Sequence, residues 1–79
     1  MRLDKYLKVS RLIKRRTVAN EACDAGRVSV NGKTARASYD VKVGDEIEIA
    51  FGNKTVNVRV TKVAETVKKD EAGDMYEMI

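Results

Sequence analysis

The residues best equipped for chemistry are Ser10-Arg11-Leu12-Ile13-Lys14-Arg15-Arg16-Thr17, which place four cations in the six positions from Arg11 to Arg16. A guanidinium grips a phosphate through a planar fork and an ammonium acts on it as a point charge. The same stretch holds Leu12 and Ile13, which have to be buried, so its charges are displayed from a folded surface rather than from a solvated tail. The segment Arg2-Leu3-Asp4-Lys5-Tyr6-Leu7-Lys8 adds Arg2, Lys5 and Lys8. Anion binding is the chemistry these types offer. Asp4 is expected to pair with a nearby cation such as Arg16 or Lys8 and to hold it in position.

Other reactive candidates have plainer explanations. Cys23 is the single cysteine, set among alanines at a core-facing helical spacing, and the sequence has no histidine. It reads as a buried structural thiol, with neither a disulfide nor a cysteine-cluster metal site available. Missing histidine removes the commonest general base and the commonest zinc ligand. Asp45-Glu46 and Glu48 lie beside a turn and on the wet side of a strand, where acids are normally solvated. No catalytic residue, metal site or cofactor is expected.

The 79 residues allow one domain, whose core supplies only roughly 3 to 5 kcal/mol of net stability, too little to carve a deep catalytic cleft. Apolar residues make up 43% and proline is absent, which favours a packed domain over a disordered chain. The net charge of +4 is unevenly shared: residues 1–36 carry ten cations against three acids, and residues 37–79 carry six against nine. The first part therefore builds a basic face. No apolar run approaches the roughly 20 residues that cross a bilayer, and there is no signal-peptide core. A cytoplasmic protein with no membrane partner is expected.

The elements that must position the cations follow from periodicity. Leu3 and Leu7 are four apart, with Tyr6 beside them, so a short helix buries these three and turns Arg2, Lys5 and Lys8 outward. A turn is expected at Ser10. Thr17 is expected to cap a second helix from Val18 to Ala25, with Val18, Ala22 and either Ala19 or Cys23 facing the core and Gly26 stopping it. Arg15 and Arg16 then sit at its positive end, where a phosphate would also meet open backbone N–H groups.

From Arg27 the period changes to two. Val28 to Val30 leads into Asn31-Gly32, the strongest short hairpin signal, with Lys33 and Arg36 near its tip. Val41 and Val43 alternate, Gly44-Asp45 turns, and Ile47, Ile49 and Phe51 form a strand returned by Val56, Val58 and Val60. Residues 1–66 are expected to form the domain. Residues 67–79 read as a polar tail, free either to pack back through Met75, Tyr76, Met78 and Ile79 or to remain flexible. The fold class is α+β: two short N-terminal helices on a small, strongly bent antiparallel sheet.

A solvated basic face would carry more interspersed acids, so a nucleic-acid surface is favoured. Neither helix is long enough for a major-groove reader. Tyr6, Tyr39, Phe51 and Tyr76 are all the aromatic residues present, too few for a single-strand stacking platform. Phosphates and the shape of a structured RNA remain.

Arg2-Leu3-Asp4-Lys5-Tyr6-Leu7, Ser10 through Thr17, Ala22, Gly26-Arg27-Val28, Val30-Asn31-Gly32-Lys33 and Val41-Lys42-Val43-Gly44-Asp45-Glu46-Ile47 together resemble the S4-type RNA-binding domain, also called the αL motif, over residues 1 to about 50. Among stand-alone members the pattern is most similar to the RqcP family of ribosome-associated quality control, and is related to the heat-shock protein fifteen family. No catalytic domain follows, so no RNA-modifying activity is expected. The resemblance implies binding to the large ribosomal subunit carrying peptidyl-tRNA, with contacts to 23S rRNA and tRNA, and help to RqcH in adding alanine tails to stalled nascent chains. It places Arg2, Arg11, Lys14, Arg15 and Arg16 on the RNA-contacting helical face, Asp4 at its acidic partner position, and Lys33 and Arg36 on the hairpin edge. A monomer is expected. The alternatives are a recycling factor for blocked large subunits without a tailing role, and a basic module that meets an acidic protein.

Overall fold

Leu3, Tyr6 and Leu7 are each fully buried along one side of α1 (Leu3–Val9), as their spacing requires. The computed structural model describes residues 1–79, apart from the side chain of Lys69. The first amides of α1 are satisfied by a distant loop rather than by a capping side chain. Leu3 N donates to Tyr39 O at 2.8 Å and Asp4 N to Ala37 O at 3.2 Å, while Lys5 N donates to the Asp4 carboxylate at 2.8 Å. All of these would otherwise be open donors. The loop thus fixes where Arg2 and Asp4 stand, and the Arg2 backbone also pairs with that of Asp40 in an isolated antiparallel bridge.

α1 ends at Ser10, which is buried and donates its hydroxyl to Leu7 O at 3.2 Å. Arg11 then takes φ of 63°, in the left-handed region. Ile13 is 6% exposed and Leu12 is partly buried. α2 spans Arg16–Asp24 and packs on α1. It starts before the expected Val18: Arg15 is the extended cap residue without a side-chain hydrogen bond, and Thr17 lies exposed in the first turn. The expected Thr17 cap is therefore corrected. Its hydroxyl can reach no later amide from inside the helix, and α2 gains its hold from packing. The buried stripe is Ala19 and Cys23, four apart and small enough for close approach to α1, whereas Val18 is 45% exposed on the rim. Gly26 supplies the expected stop, at φ 74°.

The sheet is antiparallel throughout, in the order β2-β1-β3-β4-β5, with β1 Val28–Val30, β2 Lys33–Thr34, β3 Glu46–Phe51, β4 Lys54–Val60 and β5 Tyr76–Met78. Asn31 and Gly32 both have positive φ, 52° and 85°, as the β1–β2 hairpin demands. Register carries the alternation: Val28 faces Ile49, Val30 faces Ile47, and Ile47 faces Val58, so one side of three strands is apolar and buried. Phe51, at the end of β3 beside the Gly52 turn, is 41% exposed. Val41 is buried in the loop before β3, but Val43 is 65% exposed, so the expected alternation there does not form a strand.

Of the two courses open to residues 67–79, the chain packs back. A 3₁₀ segment, Lys69–Met75, leads into β5, which pairs with β4. Met75 is fully buried, and its carbonyl accepts the Tyr6 hydroxyl at 2.7 Å, tying α1 to the end of the chain. Burial, with Tyr76 nearby, raises the Tyr6 pKa, so this hydroxyl stays a donor.

Candidate nucleic-acid interface

Asp4 is the centre of the basic surface. Its side chain is 3% exposed. Arg2 clamps it with Nε on Oδ1 at 3.1 Å and Nη2 on Oδ2 at 3.3 Å. Asn20 of α2 donates Nδ2 to Oδ2 at 3.2 Å, and Arg16 Nε lies 3.5 Å from the same oxygen. Burial pushes the Asp4 carboxyl up, but the Arg2, Asn20 and Lys5 amide hydrogen bonds and the Arg16 charge outweigh it and hold it below the usual carboxylate range. Arg2 and Arg16 remain about half exposed, at 51% and 49%. A buried carboxylate therefore aims two guanidinium groups, each keeping free N–H donors toward solvent. The expected partner Arg16 is present, joined by Arg2; Lys8 is not among the groups on Asp4.

Lys5, Lys8, Arg11, Lys14 and Arg16 line one groove together with Glu65, Thr66 and Val67 from the stretch after β4. Lys5 is ion-paired with Glu65. Arg15 lies outside this groove, exposed at the cap of α2. The first-turn amides of α2 have no capping side chain, so the positive end of the helix faces the same side as Arg15 and Arg16. Lys33 and Arg36 line a separate hollow with Asn31 and Tyr39 beside β2. Arg36 also shares with Arg2, Asn20 and Cys23 the hollow between α2 and the loop after β2. Of the ten expected residues, five line the helical groove, Lys33 and Arg36 form a pair on the hairpin edge, Arg2 and Asp4 lie between these two groups, and Arg15 stands apart at the cap of α2. Cys23 is 4% exposed and burial, with Asp4 and Asp24 nearby, pushes its thiol up to about 11, so it is unreactive at neutral pH.

Two residues of this surface were not singled out from the sequence. Asn20 is four after Arg16 in α2, and that spacing is the signal that could have placed both at Asp4. Glu65 carried no such signal, because it lies in an irregular segment far along the chain from Lys5.

The S4 domain family model matches residues 1–47. The chain is 58% identical to an RQC P-site tRNA stabilizing factor of Bacillus subtilis, over all 79 residues and 92% of that relative. It is 60% identical to the protein of the same name from Halalkalibacterium halodurans, over 99% of this chain and 89% of that one. The chain belongs to the S4 domain family, among the RQC P-site tRNA stabilizing factors. The S4 match covers both helices, the hairpin and the loop that pins α1, which are the parts that build the basic surface. The fold is that of the trimeric heat shock protein 15 of Vibrio cholerae, with a TM-score of 0.92 at 29% identity, covering all of this chain and 81% of that one.

Proposed function

We propose that this S4-domain protein is a non-enzymatic RNA-binding factor of ribosome-associated quality control. It binds the large ribosomal subunit that carries peptidyl-tRNA, touching 23S rRNA and the tRNA, and assists RqcH in C-terminal alanine tailing of stalled nascent chains. The observation that carries this reading is the Arg2–Asp4–Arg16 arrangement: two half-exposed guanidinium groups oriented by one buried carboxylate at the edge of a basic groove. The names of its relatives, P-site tRNA stabilizing factors, support tRNA as a partner in this reading.

The mechanism is positional. Arg2, Arg16 and the groove cations Lys8, Arg11 and Lys14 neutralise phosphates where two RNA segments meet, while Arg15 and the open end of α2 take a further phosphate. Lys33 and Arg36 contact the RNA from the hairpin edge. Fixing the tRNA in one orientation raises the rate at which another protein acts on it. With about five phosphates neutralised, log affinity falls with log salt at a slope of about −4. The protein works as a cytoplasmic monomer and needs no cofactor.

The test is alanine tailing of a stalled reporter in cells deleted for the protein. Complementation by the wild-type chain restores tails and by Arg16→Ala does not. Tails that persist at full level in the deletion strain would contradict the tailing role and leave the recycling reading, which the likeness to a heat shock protein 15 supports.

A further inference from the structure

Glu65 sits in the irregular stretch between β4 and the 3₁₀ segment, and its carboxylate is bound to the Lys5 ammonium. Among the described residues it is the one acid in the lining of the basic groove, which it shares with Arg11, Lys14 and Arg16. Val63 and Val67 on either side of it pack against the core, so the backbone is anchored while the side chain, 72% exposed, is free to swing. An exposed pair of this kind is screened by solvent and contributes little to stability. It is readily exchanged for a better ligand. A carboxylate on an ammonium offers the same charge and the same oxygen acceptors as a phosphodiester, and Lys5 already holds the Glu65 carboxyl below the usual range through hydrogen bonding and charge.

We propose that Glu65 is an internal competitor for Lys5, occupying its ammonium in the free protein and yielding it to an RNA phosphate. This rests on the RNA-binding reading above. Binding at this end of the groove then requires displacement of a resident anion. A polyanion that cannot seat a phosphate on Lys5 still meets the Glu65 charge. Glu65 thereby lowers affinity for RNA in general and favours an RNA shaped to reach Lys5.

The experiment measures anisotropy of a fluorescently labelled, unmodified tRNA transcript with five proteins: wild type, Glu65→Gln, Lys5→Met, the double variant and Arg16→Ala. Glu65→Gln, an exposed isosteric change, is expected to bind about five-fold tighter at about 0.1 M salt, the gain of one extra phosphate contact. In the Lys5→Met background the same substitution should give a clearly smaller gain, since only the repulsion by the Glu65 charge is then removed. Equal binding by wild type and Glu65→Gln overturns the competitor, as does a gain that persists undiminished without Lys5, which would mean general repulsion. If Arg16→Ala weakens binding while Glu65→Gln changes nothing, this inference alone fails. If the wild-type chain and every variant leave the tRNA unbound, the inference falls together with the RNA-binding reading.

Discussion

Arg16 Nε lies 3.5 Å from Asp4 Oδ2, so a carboxylate in the first turn of α1 orients a guanidinium at the first position of α2. The same carboxylate clamps Arg2. Asp4 thus sets the spacing of two cations that belong to different elements, and α1 is itself held by the loop carbonyls of Ala37 and Tyr39.

Asp4→Asn separates positioning from simple charge. Removing a negative charge from a basic face should tighten RNA binding if only net charge mattered. Because the carboxylate holds Arg2 and Arg16, the expected result is the opposite, a loss of about five-fold in tRNA affinity, equivalent to one phosphate contact. Unfolding in urea should show a cost of about 1 to 2 kcal/mol, since charge-assisted hydrogen bonds are weakened but the guanidinium groups stay solvated.

Arg11 carries a cation on a backbone that disfavours it. Its φ of 63° is in the left-handed region, where a side chain costs about 1 kcal/mol relative to glycine. Arg11→Gly should therefore raise the melting temperature by about 4 °C or more while weakening RNA binding several-fold. A variant both less stable and unchanged in binding would show that the Arg11 side chain acts in packing and not in the groove.

Acid should remove the Asp4 contribution. Its pKa is depressed in the folded protein, so its stabilisation is fully present above the unfolded value of about 3.9 and is lost as pH falls through the folded value. The stability gap between wild type and Asp4→Asn should be constant near neutrality and narrow as pH falls below the ordinary carboxylate range, because the folded pKa lies under it. Asp40 and Glu65 are also depressed, but both are exposed, so they should add little to this window.

Much of this was legible beforehand, for reasons particular residues make plain. Leu3, Tyr6 and Leu7 share a face by spacing alone, and Asn31-Gly32 could make only one kind of turn. The alternation of Ile47 and Ile49 with glutamates identified a strand with one wet side. The start of α2 is not legible from Thr17, whose capping side chain suggests a later start than the extended Arg15 that precedes the helix, which is held by burial of Ala19 and Cys23 and by its contact with α1. The close of the chain was undecided because its buried contact is Met75, one apolar residue in a polar run, whose carbonyl is recruited by Tyr6 from the other end of the sequence. The Lys5–Glu65 pair was illegible for the same reason, since no local pattern encodes a contact across the chain.

Tyr6→Phe probes that closing contact. The hydroxyl bonds a buried carbonyl at 2.7 Å, so its removal should cost about 1 to 2 kcal/mol. Hydrogen exchange should quicken in residues 69–78 before it does in β3. Uniform exchange across the domain would show instead that β5 is not a separable unit.

The most direct test of the basic surface as a ribosome-binding site is sucrose-gradient sedimentation of cell lysates containing the wild-type chain, Arg2→Ala or Arg16→Ala. The wild-type chain should travel with the large subunit and both variants should stay at the top, while circular dichroism shows them folded. Co-sedimentation of the variants at the wild-type level, or a wild-type chain that itself stays at the top, would contradict the assignment of this surface to the ribosome.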